Sequence, residues 1–471
     1  MDLMKKNKLV AGFLLAVILG IAFWLRVNAF WLPHWKGDQN HYVALAMKLD
    51  EQGLKGYNLR EVRLGNLIIS KDPPIELSFC KLSEPGDKGD LVRILEMVGQ
   101  SYYDQPFHHR APLFPYLLMG AHHLFSSQQP LYGVCSSNLG PRVGSIKPPI
   151  VFKTQFWAVI VSIFFNLAVV MMTFILGYRF FNERVASWGA FLIATNPVSV
   201  YLAHLLLVED VLTFFILLSI FLYLSYSEKK NYAGIFVSGI AGGLAILAKQ
   251  TGGLLLPIIG FYTFLARKKN KKWSSEYLCL GFWVYALAVL LVSGAWFWNI
   301  WKHFGDPFFQ PASTFSAMRT DRTGWFHEIS HRPAPALFFS VGVLFLSPML
   351  SFAFLTWRRF YGQMTDALSR TGRAGVETML WLWVLGYYFY LVEPWHVLVL
   401  TANQEHRFFY MATPAIALLA AVGLEMTRKA WGERTKNFIP VDLVLMGLLA
   451  LNAWWGIPKA MKVVLSNQLL F

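Results

Sequence analysis

The stretch LGYRFFNERVASWGAFLIATNPVSVYLAHLLLVEDVLTFF (176–215) decides the fold class. It contains one apolar run at 185–204 and opens a second that continues over 207–226. A helix rises about 1.5 Å per residue, so roughly 20 apolar residues cross the hydrocarbon core of a bilayer. Both runs meet that length. Arg179 and Arg184 precede the first run, and His204, Glu209 and Asp210 cluster at the connection to the second. The stretch therefore predicts two membrane-crossing helices with cations at one face and carboxylates at the other.

The same alternation of apolar runs with charged or Pro/Gly breaks repeats outward in both directions. It predicts eleven spans, at about 9–32, 154–178, 185–204, 207–226, 232–249, 251–266, 277–299, 335–356, 377–400, 408–426 and 439–457. Composition agrees: the 471 residues are 55% hydrophobic and 15% charged, where a soluble domain carries about 25% charged residues. A membrane β-barrel would instead show short alternating segments. A further run, 112–125, is too short to span and predicts a helix lying in the interface. The fold class is all-α and polytopic, a single membrane domain over 1–471 without the internal repeat that builds many transporters.

Charge orients the chain. With the N-terminus in the cytoplasm, the inside segments hold Lys5, Lys6 and Lys8; Arg179 and Arg184; Lys229 and Lys230; RKKNKK (267–272); Arg358, Arg359, Arg370 and Arg373; and Arg428, Lys429, Arg434 and Lys436. Every one is basic, as positive-inside orientation requires. Two loops are then extracytoplasmic, 33–153 and 300–334. The middle of the first, 53–107, is polar with Pro and Gly breaks, and is expected to fold onto the membrane. The expected setting is a bacterial or archaeal cytoplasmic membrane. The net charge of +15 lies in short clusters between spans, which points away from nucleic acid and towards membrane lipids or an anionic lipid substrate. Residues 9–25 follow KKNK as a signal peptide would, but bulky FWLRVNAFWLPHW follows them, so this run is taken as a retained first span. Cys80, Cys135 and Cys279 are too few for a disulfide framework or a cysteine metal site. Cys80 and Cys135 share the first outside loop and are candidates for one disulfide.

The outward ends of the spans gather ionisable residues. The first span delivers Asp38, the third connection Glu209 and Asp210, LAILAKQTGG delivers Lys249, and TANQEHRFFYMATP delivers Glu405, His406 and Arg407. The long loop adds Asp104, His108, His109 and Arg110 in YYDQPFHHRAPLFPYLL. Ionisable groups at membrane depth are costly, so each is a functional candidate. Each has a plainer role as well. Asp38 suits a helix cap before HYVALAMKL, Glu209 and Asp210 suit the positive end of a helix dipole, and Lys249 and Arg407 suit snorkelling at the interface. His108, His109, Glu209 and Asp210 are the candidate ligands if a divalent metal is used, which needs three or four converging groups.

In order along the chain, GDQNHYVALAMKL (37–49), HHRAPLFPYLL (108–118), the 176–215 stretch, GLAILAKQTG (243–252), AWFWNIWKHFGDPFF (295–309) and HRFFYMATPAIALLAA (406–421) resemble the motifs of the GT-C superfamily of membrane glycosyltransferases. The resemblance is to the branch of protein O-mannosyltransferases and aminoarabinose transferases, and it covers about 9–425. Here Asp38 is followed by Gln39 where that branch often has Glu, and Arg110-Ala111 stands in place of Lys-Pro. The C-terminal part carries one further span in place of the large soluble domain of the aminoarabinose transferases.

The resemblance implies a GT-C fold and an inverting transfer of a sugar from a polyisoprenyl-phosphate donor to an extracytoplasmic lipid, glycan or protein acceptor. Asp38 is then the candidate catalytic base, with Asp104, Glu209 and Asp210 as secondary acidic candidates. Lys249, Arg407 and Arg110 are candidates for the donor phosphate, whose charge grows as the sugar leaves. The donor is already activated, and the chain has no phosphate-cradling GxxxxGK[ST] loop. A transporter or flippase for a lipid-linked glycan is the competing class, but its polar groups belong near the bilayer midplane. A non-catalytic assembly subunit is the third, and it would tolerate loss of Asp38.

Overall fold

The computed structural model describes residues 2–27, 42, 45–46, 49–50, 53, 61–64, 67–70, 111–125, 152–203, 206–266, 280–304, 347–369, 375–392, 410–435 and 441–466. The described chain is a bundle of helices, with one antiparallel hairpin, β1 (Glu61–Leu64) and β2 (Leu67–Ser70), in the first long loop. Asp38, Asp104, His108, His109, Arg110, Arg407 and all three cysteines lie outside the described residues.

The helices in chain order are α1 (Asp2–Val27), α2 (Leu113–Phe125), α3 (Phe152–Phe180), α4 (Glu183–Ala194), α5 (Pro197–Ala203), α6 (Glu209–Ser227), α7 (Tyr232–Ala248), α8 (Leu255–Leu265), α9 (Leu280–Phe304), α10 (Trp357–Leu368), α11 (Val376–Val392), α12 (Thr413–Thr435) and α13 (Val441–Ser466). Two 3₁₀ segments, Gln250–Leu254 and Pro348–Thr356, lead into α8 and α10. Among the described residues, Leu9–Val27, Trp157–Phe180, Glu209–Ser227 and Leu280–Lys302 are each long and apolar enough to cross a membrane alone. The pair α4 and α5, bent by 56°, makes a fifth if taken as one span. The 112–125 run is a short helix, α2, as expected.

The 176–215 stretch shows how the sequence builds this. Asn182 caps α4 by accepting from Val185 N at 2.9 Å. The single span expected over 185–204 is broken at TNP: Asn196 Oδ1 accepts from Val198 N at 2.9 Å and Ser199 N at 3.1 Å, starting a new helix. Pro197 opens it, where a missing N–H costs nothing. Helix α6 returns and ends in a tight turn in which Lys230 takes φ 51°, the left-handed region, and Asn231 accepts from Gly234 N at 3.1 Å to start α7.

Close approach holds α6, α7 and α9 together. A Cβ on Gly239 would lie 2.6 Å from that of Ala288, and one on Gly243 would lie 2.6 Å from Val292 Cβ. This is the small-residue spacing that lets membrane helices touch along their backbones. On the α6 side, Ser219 Oγ donates to Ser238 O at 3.0 Å while Ser238 Oγ donates to Ser219 O at 2.7 Å. Helix α12 runs through the middle: Ala415, Ala417, Leu418, Leu419, Ala420 and Ala421 are fully buried. Helix α9 instead exposes Leu287, Leu290 and Leu291, as a lipid-facing wall does.

The bundle has two chemically distinct ends. At one end lie Arg179, closing α3; Arg184, 4.0 Å from Asp442 of α13; Arg359, 2.8 Å from Glu377 of α11; and Arg428, 2.8 Å from Glu425 in α12. At the other end lie the last turns of α1 and α7, the break between α4 and α5, and the start of α6. Helices α7 and α9 run parallel, Gly239 against Ala288 and Gly243 against Val292, so α9 also finishes there. Both long loops therefore leave from the end opposite the basic one.

Candidate active site

At that end the first turn of α6 presents two carboxylates in different directions. Glu209 is 1% exposed, and its Oε1 accepts from Lys249 Nζ at 2.9 Å. Lys249 sits where α7 stops. Its backbone is extended (φ −155°, ψ 137°), its N–H still bonds Ala245 O at 3.0 Å, and its carbonyl accepts from Gly252 N at 2.8 Å. Gly252 is required for this turn: a Cβ there would fall 2.5 Å from the Ala245 backbone. Tyr387 OH donates to Thr251 O at 3.3 Å and Thr251 Oγ1 donates to Met411 Sδ at 3.8 Å, so α11 and the approach to α12 brace the same turn. Lys249 keeps 24% of its side chain exposed, while that of Glu209 is 1% exposed.

Asp210, also 1% exposed, turns inward. Its Oδ1 accepts from Asn166 Nδ2 of α3 at 2.6 Å. Asn166 Nδ2 also lies within reach of Ser199 O at 3.0 Å and Tyr410 OH at 3.2 Å. Its Oδ1 accepts from Ser199 Oγ at 3.2 Å and from Arg26 Nε of α1. Arg26 is fully buried. Its Nη1 donates to Ala22 O and Ala194 O, each at 2.9 Å, and its Nη2 donates to Ser199 Oγ at 2.9 Å. A side chain of α1 thus satisfies a carbonyl that α4 leaves open at its last turn. Arg26 and Asp210 balance each other through the Asn166 amide, and Lys249 balances Glu209 directly.

Of the residues singled out from sequence, Glu209 and Lys249 are brought together, and Asp210 is tied into the bundle interior. Glu209 and Asp210 meet different partners, Lys249 for the first and Asn166 for the second. Among the described residues no three His, Cys, Asp or Glu side chains are arranged to hold a metal ion. Sequence reasoning missed Arg26, Asn166, Ser199 and Tyr410. Arg26 was detectable, as a charge inside the first apolar run. It also missed Asp50, whose Oδ2 lies 2.6 Å from His122 Nδ1 and whose Oδ1 lies 3.1 Å from His123 Nδ1. That contact fastens the segment after the first span to α2, while His122 packs edge-on against Trp157 of α3 at 4.9 Å.

Residues 121–275, from the end of α2 through α8, match the family model described as dolichyl-phosphate-mannose-protein mannosyltransferase. Glu209, Asp210 and Lys249 all fall inside the match. An uncharacterized protein of Aquifex aeolicus (strain VF5) is 30% identical over 130 residues, which is 27% of this chain and 25% of that protein. Among solved structures, the chain is similar to ArnT from Cupriavidus metallidurans bound to undecaprenyl phosphate, with a TM-score of 0.53 and 13% identity over 96% of this chain and 70% of that one. It is also similar to the oligosaccharyltransferase AglB from Archaeoglobus fulgidus in complex with an inhibitory peptide and a dolichol-phosphate, with a TM-score of 0.55 and 14% identity over 96% of this chain and 56% of that one. Helix order, the two-ended bundle and these likenesses together give the chain the fold of the GT-C membrane glycosyltransferases.

Proposed function

We propose that this protein is an integral membrane glycosyltransferase that moves a sugar from a polyprenyl-phosphate donor to an acceptor outside the cytoplasm. The carrying observation is the Glu209–Lys249 pair, inside the mannosyltransferase match and at the end of the bundle from which both long loops leave. The neighbours bound to undecaprenyl phosphate and to dolichol-phosphate support a lipid-phosphate donor. The charge distribution supports the basic end as cytoplasmic, with the N-terminus on that side.

The chemistry asked of the residues is limited. An acceptor hydroxyl oxygen attacks the anomeric carbon from the face opposite the phosphate. The bond from that carbon to the phosphate oxygen breaks, its electron pair stays on the phosphate, and configuration inverts. Asp38 takes the hydroxyl proton. Lys249, with Arg407 and Arg110 as further candidates from the loops, stabilises the charge that gathers on the leaving phosphate. Glu209 orients Lys249 through the 2.9 Å ion pair. Asp104 remains a secondary acidic candidate. A divalent metal is not needed by this scheme.

The direct test is to incubate the purified full-length chain in nanodiscs with polyprenyl-phosphate sugars and candidate acceptors, and to measure release of polyprenyl phosphate. Release that depends on Asp38 and Lys249 supports the proposal. Failure with every donor, together with movement of an unmodified lipid-linked glycan across the bilayer, would make the protein a flippase.

A further inference from the structure

Helix α10 has 12 residues, about 18 Å at 1.5 Å per residue, and so is too short to cross a bilayer. It begins where the 3₁₀ segment Pro348–Thr356 ends, at the basic end of the bundle. Phe360 is buried and packs 5.9 Å from the ring of Trp381 in α11, with Met364 and Ala367 half-buried on the same flank. The adjoining flank is apolar and open: Trp357 is 42% exposed, Tyr361 58% and Leu368 52%. Residues four and seven apart on a helix share a face, so these three form one stripe. It continues into Phe354 and Leu355, exposed at the end of the 3₁₀ segment. The polar edge carries Arg358 and Arg359.

The charges at this end favour one kind of partner. Among the described acids at this end, Glu377, Glu425 and Asp442 face Arg359, Arg428 and Arg184, Glu183 and Glu228 stand at the ends of α4 and α6, and Asp366 lies on the polar face of α10. Arg358 and Arg179 are exposed and take part in none of those pairs. The chain adds RKKNKK (267–272) after α8, and Arg370 and Arg373 after α10. A second protein would have to bury Trp357 and Tyr361 beside this cationic rim. A lipid leaflet accepts both at once: aromatic rings at headgroup depth, and arginines against phosphate.

We infer that α10 lies flat in the leaflet at the basic end and forms a binding site for anionic phospholipid, with Trp357, Tyr361 and Leu368 in the acyl boundary and Arg358 on a headgroup phosphate. This does not depend on the transferase activity. It places an acidic-lipid site on the face of the bundle away from the Glu209–Lys249 pair, and so separates the lipid that anchors the protein from any lipid it processes.

The test uses the full-length chain in nanodiscs of phosphatidylcholine with or without phosphatidylglycerol. Native mass spectrometry counts the phosphatidylglycerol retained, and amide hydrogen exchange follows residues 357–368. We expect retained phosphatidylglycerol, slower exchange of α10 when that lipid is present, and a loss of about five-fold in retention for Arg358→Gln, the size expected of one basic residue at an anionic surface. Arg358 is exposed, so the variant should fold, and an unchanged melting temperature will verify it. Equal retention by wild type and Arg358→Gln overturns the inference. So does protection of α10 that appears only when two copies are present, which would make the stripe an interface between copies.

Discussion

Glu209 and Asp210 are neighbours in sequence, yet they serve different parts of the molecule, because successive residues on a helix do not share a face. Their acidity was legible; their division between Lys249 and Asn166 was not, since each partner is supplied by another helix. The pairing makes a specific expectation. Lys249→Ala removes the cation 2.9 Å from the buried Glu209 carboxylate, which should destabilise the protein by about 3–5 kcal/mol. Adding Glu209→Gln should recover much of that stability while transfer stays lost. Thermal unfolding in detergent and turnover, measured on the single and double variants, separate the two roles. Asp38→Asn should behave otherwise: turnover falls by roughly 10²–10⁴-fold, while folding and donor binding persist, because Asn keeps the shape and loses only the proton acceptor. Loss of undecaprenyl-phosphate binding by that variant would move Asp38 from base to donor-site organiser.

At the level of the element, lengths and positions of apolar runs were readable and their interruptions only partly so. The run over 185–204 passes any hydropathy test as one span, yet TNP carries the signals of a break, a capping Asn followed by a helix-opening Pro. The 3₁₀ segment Pro348–Thr356 was hidden for the same reason; its backbone is held from α13, where Asn452 Oδ1 accepts from Met349 N at 3.1 Å. The glycines of α7 carry a testable load. Gly243→Leu should force α7 from α9 and destabilise the bundle by about 1–3 kcal/mol or more. Gly120→Leu, in α2 with open space around it, should change the melting temperature little. Similar losses in both would mean that the close contact between α7 and α9 contributes no stability.

For the whole molecule, the sorting of charge to one end was the most legible feature, because it depends on composition of connections and not on side-chain packing. If the basic end is cytoplasmic, a cysteine placed at residue 270 should resist a membrane-impermeant reagent in intact cells and one at 320 should react. The reverse pattern would invert the protein and remove the proposed chemistry from the outer face. The interior was the least legible, since the partners of Arg26 and Asn166 come from other helices and the apolar runs do not show which polar residues will meet. Their burial also has a consequence for how the protein is made. Helix α1 enters the bilayer first, carrying Arg26, but the groups that receive its guanidinium, Asn166, Ala194 and Ser199, are synthesised only much later. Until α3 to α5 arrive, α1 holds a charge that lipid does not satisfy. Biogenesis therefore has an obligate order, and nascent chains halted before α3 should be held by the insertion machinery or degraded, not released as a stable first span.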